Sequence, residues 1–184
     1  MTELASASQL RASLLRWGLV CVPGIVLLGF LSATFSHSGP GNPWFDALAK
    51  PVLYPQPAVF GIVWTGLYVL MGLALALVAS ARGAWGRERA FLAFLVQLLL
   101  NLAWSPLFFA AHRMTWALGL IGVLIVAVGV TIFLFWRVRP LAAWLMVPYL
   151  VWLSFASILN WQTHVLNPNA ETLVPERPHT QIEL

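Results

Sequence analysis

Residues 57–80 read PAVFGIVWTGLYVLMGLALALVAS and contain no charged side chain. As a helix rising 1.5 Å per residue, this stretch would be about 36 Å long, enough to cross the ~30 Å hydrocarbon core of a bilayer. Backbone N–H and C=O groups in lipid must pair within the segment, so an apolar run of this length favours a helix. The segment therefore predicts a transmembrane helix.

Four other uncharged runs lie on either side of this segment, over 17–45, 90–112, 114–136 and 140–170. Each is longer than the ~20 residues that a spanning helix needs. The sequence therefore predicts an all-α membrane protein, a bundle of five transmembrane helices. The helices are expected at about 15–35, 57–80, 89–110, 115–136 and 141–164. Around the five-helix domain (15–165) we expect an amino-terminal tail over 1–14 and a polar, disordered tail over 166–184.

The composition points the same way. The chain has 10 Lys and Arg and 6 Asp and Glu among 184 residues, which is 9 % charged, against roughly 25 % in a soluble domain. So few charges exclude an ordinary soluble globular domain, a nucleic-acid-binding protein and a disordered chain. No Asp or Glu lies in an expected span, no catalytic or nucleotide-binding motif is present, and no two histidines are spaced as a ligand pair.

Lysine and arginine are distributed unequally between the two sides of the expected bundle. Seven lie in the amino-terminal tail and in the second and fourth loops, namely Arg11, Arg16, Arg82, Arg87, Arg89, Arg137 and Arg139. Three lie on the opposite side, namely Lys50, Arg113 and Arg177. Because positively charged segments stay inside, we expect the amino terminus inside and the carboxyl terminus outside.

The first loop, over about 36–56, is much longer than the other connections. It is rich in glycine and proline but also carries Trp44, Phe45, Leu48, Val52, Leu53 and Tyr54. These residues make it too apolar for a disordered segment, and long loops in compact domains are commonly lids or binding segments. We expect the loop to fold back onto the outer end of the bundle as a lid.

Aromatic and polar residues recur at helical spacing on three of the expected helices. The sets are Phe60, Trp64, Tyr68 and Met71; Gln97, Asn101, Trp104, Ser105 and Phe108; and Tyr149, Trp152, Ala156, Asn160 and Thr163. Asn and Gln are costly in hydrocarbon, so these faces should point into the bundle. Counting along each helix puts most of the groups in the outer leaflet, beneath the first loop. An aromatic cavity with a few polar groups is typical of a small-molecule site.

A structural role is the alternative for the same residue types. Tryptophan is enriched at membrane interfaces, and anchoring is the expected role of Trp17, Trp85, Trp116, Trp136 and Trp161, which lie near expected helix ends. Buried amides often only join neighbouring helices. Small residues should permit close approach of helices, namely Gly61, Gly66 and Gly72 and also Gly119, Gly122 and Gly129. Prolines inside helices favour kinks, at Pro23, Pro106 and Pro148.

Motifs in order along the chain resemble the TspO/MBR family, the tryptophan-rich sensory proteins that include the mitochondrial translocator protein. They are WFDALAKP over 44–51 with Pro55, FGIVWTGLY over 60–68, Gln97-Leu98 with Asn101, Trp104, Pro106, Phe108 and Phe109, and PYL over 148–150 with Trp152, Phe155-Ala156, Leu159-Asn160 and Asn167. The resemblance implies a five-helix bundle, often dimeric, that binds porphyrins, haem and related tetrapyrroles. The family's pocket lies among helices one, two, three and five, beneath the first loop.

The resemblance also implies the positions of the pocket. By motif they are Trp64, Asn101, Trp104, Trp152 and Ala156, with Trp44 and Pro55 in the loop that covers them, and helical spacing adds Tyr68 and Asn160. The tryptophans Trp64, Trp104 and Trp152 would stack on the macrocycle, while Asn101 and Tyr68 orient it. The loop departs from the family pattern by Gln56 between two prolines and by Val52 after Lys-Pro, which affects the expected contact of the lid with a planar ligand.

These observations lead us to expect an integral membrane protein that binds a tetrapyrrole (porphyrin or haem), needs no resident cofactor, and transports, senses or buffers its ligand. A homodimer is possible. We expect no enzymatic activity, but two alternatives stay open. The same pocket could degrade bound porphyrin under light and oxygen, or the chain could be a regulatory membrane partner without a ligand.

Overall fold

The structure, a computed structural model, describes residues 7–173, in which every regular element is helical. The α-helices are α1 (Ala7–Phe35), α2 (Pro43–Ala47), α3 (Pro57–Ser80), α4 (Arg87–Ser105), α5 (Met114–Val138) and α6 (Pro140–Leu166). A π-helical turn (Pro106–Ala110) continues α4, and a short 3₁₀ turn (Ala170–Thr172) follows α6. All helices except α2 are long and apolar enough to cross a membrane. The prediction of an all-α bundle of five transmembrane helices is confirmed.

The first helix begins earlier than expected, at Ala7 instead of about residue 15. Residues 7–14 read ASQLRASL, and alanine, leucine, glutamine and arginine are strong helix formers. Because no glycine or proline interrupts this run, the helix extends through most of the segment that was expected to be a tail. The other long helices begin and end within about two residues of their expected bounds, when the π-helical turn is counted as the end of the fourth helix.

The five long helices form a closed arrangement. α1 packs along α3, α3 also packs on α6, α6 on α5, and α5 on α4, while α4 makes smaller contacts with α1 and α3. Side chains such as Met71, Phe94, Leu124 and Met146 are almost completely buried between them. The Phe94 and Phe135 rings stack with their centroids 5.8 Å apart. One apolar core therefore holds the five helices together, and Cys21 and Ile25 of α1 belong to it.

Two glycines set the distance between α1 and α3. A Cβ atom at Gly72 would lie 2.6 Å from Cα of Val22, and one at Gly29 would overlap the ring of Tyr68. The sequence predicted close approach at Gly72 but did not single out Gly29. The other five glycines for which close approach was expected have no neighbour within 4 Å of an added Cβ, namely Gly61, Gly66, Gly119, Gly122 and Gly129.

Pro106 changes the path of the fourth helix. The α-helical pattern ends at Ser105, and the amide of Ala111 instead bonds the carbonyl of Pro106 at 2.9 Å, which is the wider spacing of a π-helix. This turn buries Phe108 and presents Phe109 beside it. Pro23 and Pro148, by contrast, lie inside continuous helices.

The first loop folds onto one end of the bundle, which we call the loop end. Its short helix α2 is capped by Asn42, whose Oδ1 accepts a hydrogen bond from the amide of Phe45 at 3.1 Å. Trp44, Phe45 and Leu48 are buried, as their apolar character predicts. Val52 and Leu53 are exposed, however, so the apolar residues of the loop do not all face the bundle.

The segment after α6 differs from its expected disorder. Residues 167–173 lie against the first loop, and Ala170 is buried in the cluster that surrounds Trp44. Backbone and amide hydrogen bonds with the loop order this segment although its composition is polar. The expectation for residues 174–184 lies outside the residues that the structure describes, as does that for 1–6.

Tryptophans at the ends of the helices face outward. Trp85, Trp116, Trp136 and Trp161 are 51–74 % exposed. Such side chains suit the interface between headgroups and hydrocarbon, where indole is enriched. Their positions agree with the expected anchoring role. Trp17, for which the same role was expected, instead lies well inside α1, because that helix begins at Ala7, and it packs partly buried against the core. Trp44, Trp64, Trp104 and Trp152 are also buried or partly buried.

Candidate ligand pocket

A cavity of about 350 Å³ opens at the loop end of the bundle. Residues of all five long helices and of the first loop line it. Its volume falls at the lower end of the range of small-molecule sites, about 300–1,000 Å³. The loop thus closes a chamber that the helices build, which is the general location expected from the sequence.

Seven of the nine residues expected at the site line this cavity: Trp64, Tyr68, Asn101, Trp104, Trp152, Ala156 and Asn160. They come from α3, α4 and α6, so the three helical faces identified by spacing do converge. The remaining two, Trp44 and Pro55, are not among the lining residues. Trp44 is 1 % exposed and lies in the packed cluster beneath the loop instead.

Trp44 holds the first loop in place. Its indole stacks on the His112 ring at a centroid distance of 4.4 Å and meets the edge of Phe108 at 5.5 Å. Burial in this cluster lowers the pKa of His112, although a hydrogen bond with the Phe109 backbone opposes the change. Trp44 therefore acts on the cavity indirectly, by fixing the loop and the π-helical turn that line it.

The walls of the cavity are mostly aromatic. Trp64 lies beside Tyr68 with a centroid distance of 5.4 Å, and Phe60 meets the Trp152 ring edge-on at 5.8 Å. Trp104 stacks on Phe108 at 5.0 Å. These contacts fix the ring orientations before any ligand arrives, and the combined surface suits a large, flat, apolar molecule.

The deepest polar groups of the cavity are bonded to one another. The Tyr68 hydroxyl donates to Oδ1 of Asn101 at 3.0 Å, and Nδ2 of Asn101 donates to the Tyr149 hydroxyl at 2.8 Å. Both amide atoms of Asn101 thus have a protein partner. These hydrogen bonds join α3, α4 and α6, so Asn101 and Tyr68 have a structural role. The ligand-orienting role expected from the sequence stays a prediction.

Other polar atoms on the cavity wall have no protein hydrogen-bond partner. Among the described residues these buried atoms are Nε1 of Trp152, both amide atoms of Asn160, and Oγ of Ser38. Buried polar groups in native proteins are nearly always hydrogen-bonded. Unpartnered atoms on a cavity wall are therefore places where a bound molecule could supply the missing partner.

No Asp, Glu, Lys, Arg or His is found among the described residues that line the cavity. The loop also carries Lys50, whose ammonium donates to the carbonyls of Phe45 and Leu48 and lies 4.4 Å above the Phe45 ring. Desolvation lowers the pKa of Lys50, and Asp46 partly opposes this. Between residues 7 and 173, no group of three His, Cys, Asp or Glu side chains could hold a metal ion.

Several lining residues were not expected from the sequence. Gly29 and Ala33 belong to α1, which carries no polar or aromatic face, and Ser38, Phe45 and Tyr54 belong to the first loop. No spacing argument applies to a loop, so their contribution depends on how the loop folds. The family resemblance, which includes helix one in the pocket, was the signal that pointed towards α1.

Comparison with known proteins agrees with the motifs. The model of the TspO/MBR family matches residues 20–166. The chain is 38 % identical to the tryptophan-rich sensory protein of Cereibacter sphaeroides over 78 % of its own length and 92 % of that protein. It is 39 % identical to the human translocator protein, over 72 % of its own length and 79 % of that protein. A third relative, protein CrtK of Rhodobacter capsulatus, is 34 % identical over 77 % of this chain and 88 % of its own.

Proposed function

The chain belongs to the TspO/MBR family, and from this premise we propose that its loop-end cavity binds a tetrapyrrole, either porphyrin or haem. Five apolar helices together with the family make it an integral, multi-pass membrane protein. In our proposal it transports, senses or buffers the ligand. Its orientation, with the amino terminus inside, and its assembly as a homodimer stay predictions.

One observation carries the proposal: tryptophans from three different helices line a single cavity. Trp64 on α3, Trp104 on α4 and Trp152 on α6 present ring surfaces to the same space. A tetrapyrrole is a broad, flat π-system, and stacking on aromatic rings combines a large apolar contact with favourable ring geometry. The absence of charged side chains among the described lining residues agrees with a ligand whose buried part is neutral and apolar.

The residues present also suggest how haem would be held. No His, Cys or Met, the common axial ligands of haem iron, is found among the described lining residues. Tyrosine is a rarer ligand, and of the two that line the cavity, Tyr54 and Tyr68, the second is hydrogen-bonded to Asn101. Binding would then depend on ring stacking more than on the iron. We expect metal-free protoporphyrin IX and haem to bind with affinities within about tenfold of each other.

Titration with protoporphyrin IX tests the proposal. The purified protein in detergent is titrated while the Soret absorbance is followed, because this readout does not change when a tryptophan fluorophore is removed. Trp64→Phe combined with Trp152→Phe should weaken binding about tenfold or more. The matched control is Trp116→Phe combined with Trp161→Phe, two exposed tryptophans. Equal affinity of the two double variants would contradict the assignment of the cavity.

Porphyrin degradation stays the alternative function of the same cavity. The two are separated by following the absorbance of bound porphyrin in light and in darkness, with and without oxygen. Loss of absorbance that needs light, oxygen and intact protein would identify an enzyme. A stable spectrum under all conditions, with saturable binding, would support the binding protein that we propose.

A further inference from the structure

Asn160 is an unusual group on the cavity wall. Its side chain is buried, at 4 % exposed, yet neither amide atom has a hydrogen-bond partner in the protein. The comparable residue Asn101 uses both amide atoms to join Tyr68 and Tyr149. Leaving a buried amide unpaired destabilises the fold. The lack of hydrogen-bond partners at Asn160, in contrast to Asn101, therefore calls for an explanation.

Asn160 lies far from the hydrogen-bonded group formed by Tyr68, Asn101 and Tyr149 at the deep end of the cavity. It lies eleven residues after Tyr149 on α6, which corresponds to about 16 Å along the helix axis. Ser38, directly after α1, lines the same cavity and also has an unpartnered, buried hydroxyl. The cavity therefore has a bonded polar group at its deep end and unbonded ones towards the loop.

We propose that Asn160 and Ser38 form a subsite for a carboxyl substituent of the ligand, so that a tetrapyrrole enters with its apolar edge deep and its carboxyl edge towards the loop. This inference rests on the proposed function. Trp152 lies between the two ends, eight residues or about 12 Å before Asn160. A macrocycle stacked beside Trp152 would extend its substituents along the wall towards Asn160.

The chemistry of the two side chains matches a carboxyl group. Nδ2 of Asn160 donates and Oδ1 accepts, while a serine hydroxyl does either. A carboxyl oxygen can accept from Asn160 and from Ser38, and a protonated carboxyl can also donate to Oδ1. Among the described lining residues there is no Lys, Arg or His to select for a full negative charge. The subsite thus binds through neutral hydrogen bonds.

Gln97 provides a matched control. It is fully buried, and both of its amide atoms also lack a partner, but it does not line the cavity. An unpartnered amide alone is thus no sign of a ligand. Replacing either residue by leucine removes an unpaired buried amide, a change that is often neutral or stabilising. Only the change at Asn160 should affect ligand recognition.

The test compares protoporphyrin IX, which carries two carboxyl groups, with octaethylporphyrin, which carries none. Asn160→Leu should weaken protoporphyrin IX binding about tenfold, as expected for the loss of hydrogen bonds in a buried site. Its affinity for octaethylporphyrin should change by less than about twofold. Ser38→Ala should act in the same direction with a smaller effect, and Gln97→Leu should change neither affinity.

The outcomes separate this inference from the proposed function. Equal weakening of both porphyrins, or unchanged protoporphyrin IX affinity in folded Asn160→Leu, would overturn the subsite while the binding function stands. If the wild-type protein binds neither porphyrin saturably, the proposed function itself fails and the subsite fails with it. If Asn160→Leu does not fold, Asn160→Ala and Ser38→Ala supply the same comparison, because alanine can neither donate nor accept.

Discussion

The indole N–H of Trp44 donates a hydrogen bond to the backbone carbonyl of Ala170 at 2.7 Å, across 126 positions of sequence. A second connection lies nearby, where Asn167 accepts from the amide of Ala49 at 2.8 Å and donates to its carbonyl at 2.9 Å. The segment after the last transmembrane helix therefore holds the loop that closes the cavity. Loosening this segment should therefore also loosen the loop and change how readily a ligand enters the cavity.

Trp44→Phe tests that link. The substitution keeps an aromatic ring but removes the indole donor, so the buried carbonyl of Ala170 keeps only its hydrogen bond from the amide of Leu173 at 3.3 Å. The loss of one hydrogen bond costs about 0.5–1.5 kcal/mol. We expect faster amide hydrogen exchange at Phe45 and Ala49 and a lower melting temperature in detergent. The control Trp116→Phe changes an exposed indole and should leave both unchanged. Native-like exchange at Ala49 in Trp44→Phe would show that the hydrogen bond does not hold the loop.

Acidification should loosen the same segment through Glu171. The amide of Thr115 donates to its Oε1 at 3.0 Å, and this hydrogen bond, assisted by Arg113, lowers the pKa of Glu171 below the ordinary value of 4.5. Because the pKa of Glu171 is lower in the folded protein, its ionised carboxylate stabilises the docked segment above pH 4.5. This stabilisation is lost as the pH falls through the lowered pKa and the carboxylate is protonated.

The measurement is the melting temperature of the wild type and of Glu171→Gln from pH 7 to pH 3. We expect the wild type to melt higher at pH 7 and the difference to shrink below pH 4.5. Because the Glu171 side chain is partly exposed, at 28 %, its ion pair with Arg113 is screened and the difference should be small. A difference that stays constant with pH would mean that the charge of Glu171 has no part in docking.

The helices could be predicted from the sequence because their cause is local. Charge-free runs longer than a bilayer is thick become helices whatever surrounds them, and the polar faces of α3, α4 and α6 follow from spacing alone. The cavity could be anticipated for the same reason. The order of residues 167–173 could not, since it depends on a backbone carbonyl at Ala170, which has no sequence signature.

The hydrogen-bond partners of the polar side chains could not be predicted from the sequence either. Asn101 and Asn160 have the same side chain and similar depth signals, yet one is bonded on both sides and the other is not. Only the assembled bundle brings Tyr68 of α3 and Tyr149 of α6 to Asn101 of α4. In our proposal the amide that contacts the ligand is therefore Asn160, towards the loop, and not Asn101 at the deep end of the cavity.

Tyr149→Phe tests how much the hydrogen bonds among Tyr68, Asn101 and Tyr149 stabilise the protein. Tyr149 is completely buried, and its hydroxyl is the partner of Nδ2 of Asn101. Loss of the Tyr149 hydroxyl leaves an N–H of Asn101 unpaired and should destabilise the protein by about 1–3 kcal/mol. Adding Asn101→Leu removes the unpaired amide, so the double variant should be less destabilised than the sum of the single variants. Strictly additive effects on thermal stability would contradict the coupling.

The contact of Gly72 on α3 with the backbone of α1 can be tested by substitution. An added Cβ at Gly72 would lie 2.6 Å from Cα of Val22, and because the obstacle is backbone, the clash can be relieved only by moving α1 away from α3. We expect Gly72→Ala to destabilise the protein by about 1–3 kcal/mol, as overpacking does. Gly119→Ala is the control, since nothing lies within 4 Å of its added Cβ. There alanine should stabilise the helix by up to about 1 kcal/mol through its higher propensity. Thermal unfolding of the two variants should thus shift in opposite directions, and a Gly72→Ala protein as stable as the wild type would show that α1 is not seated on α3 at this distance.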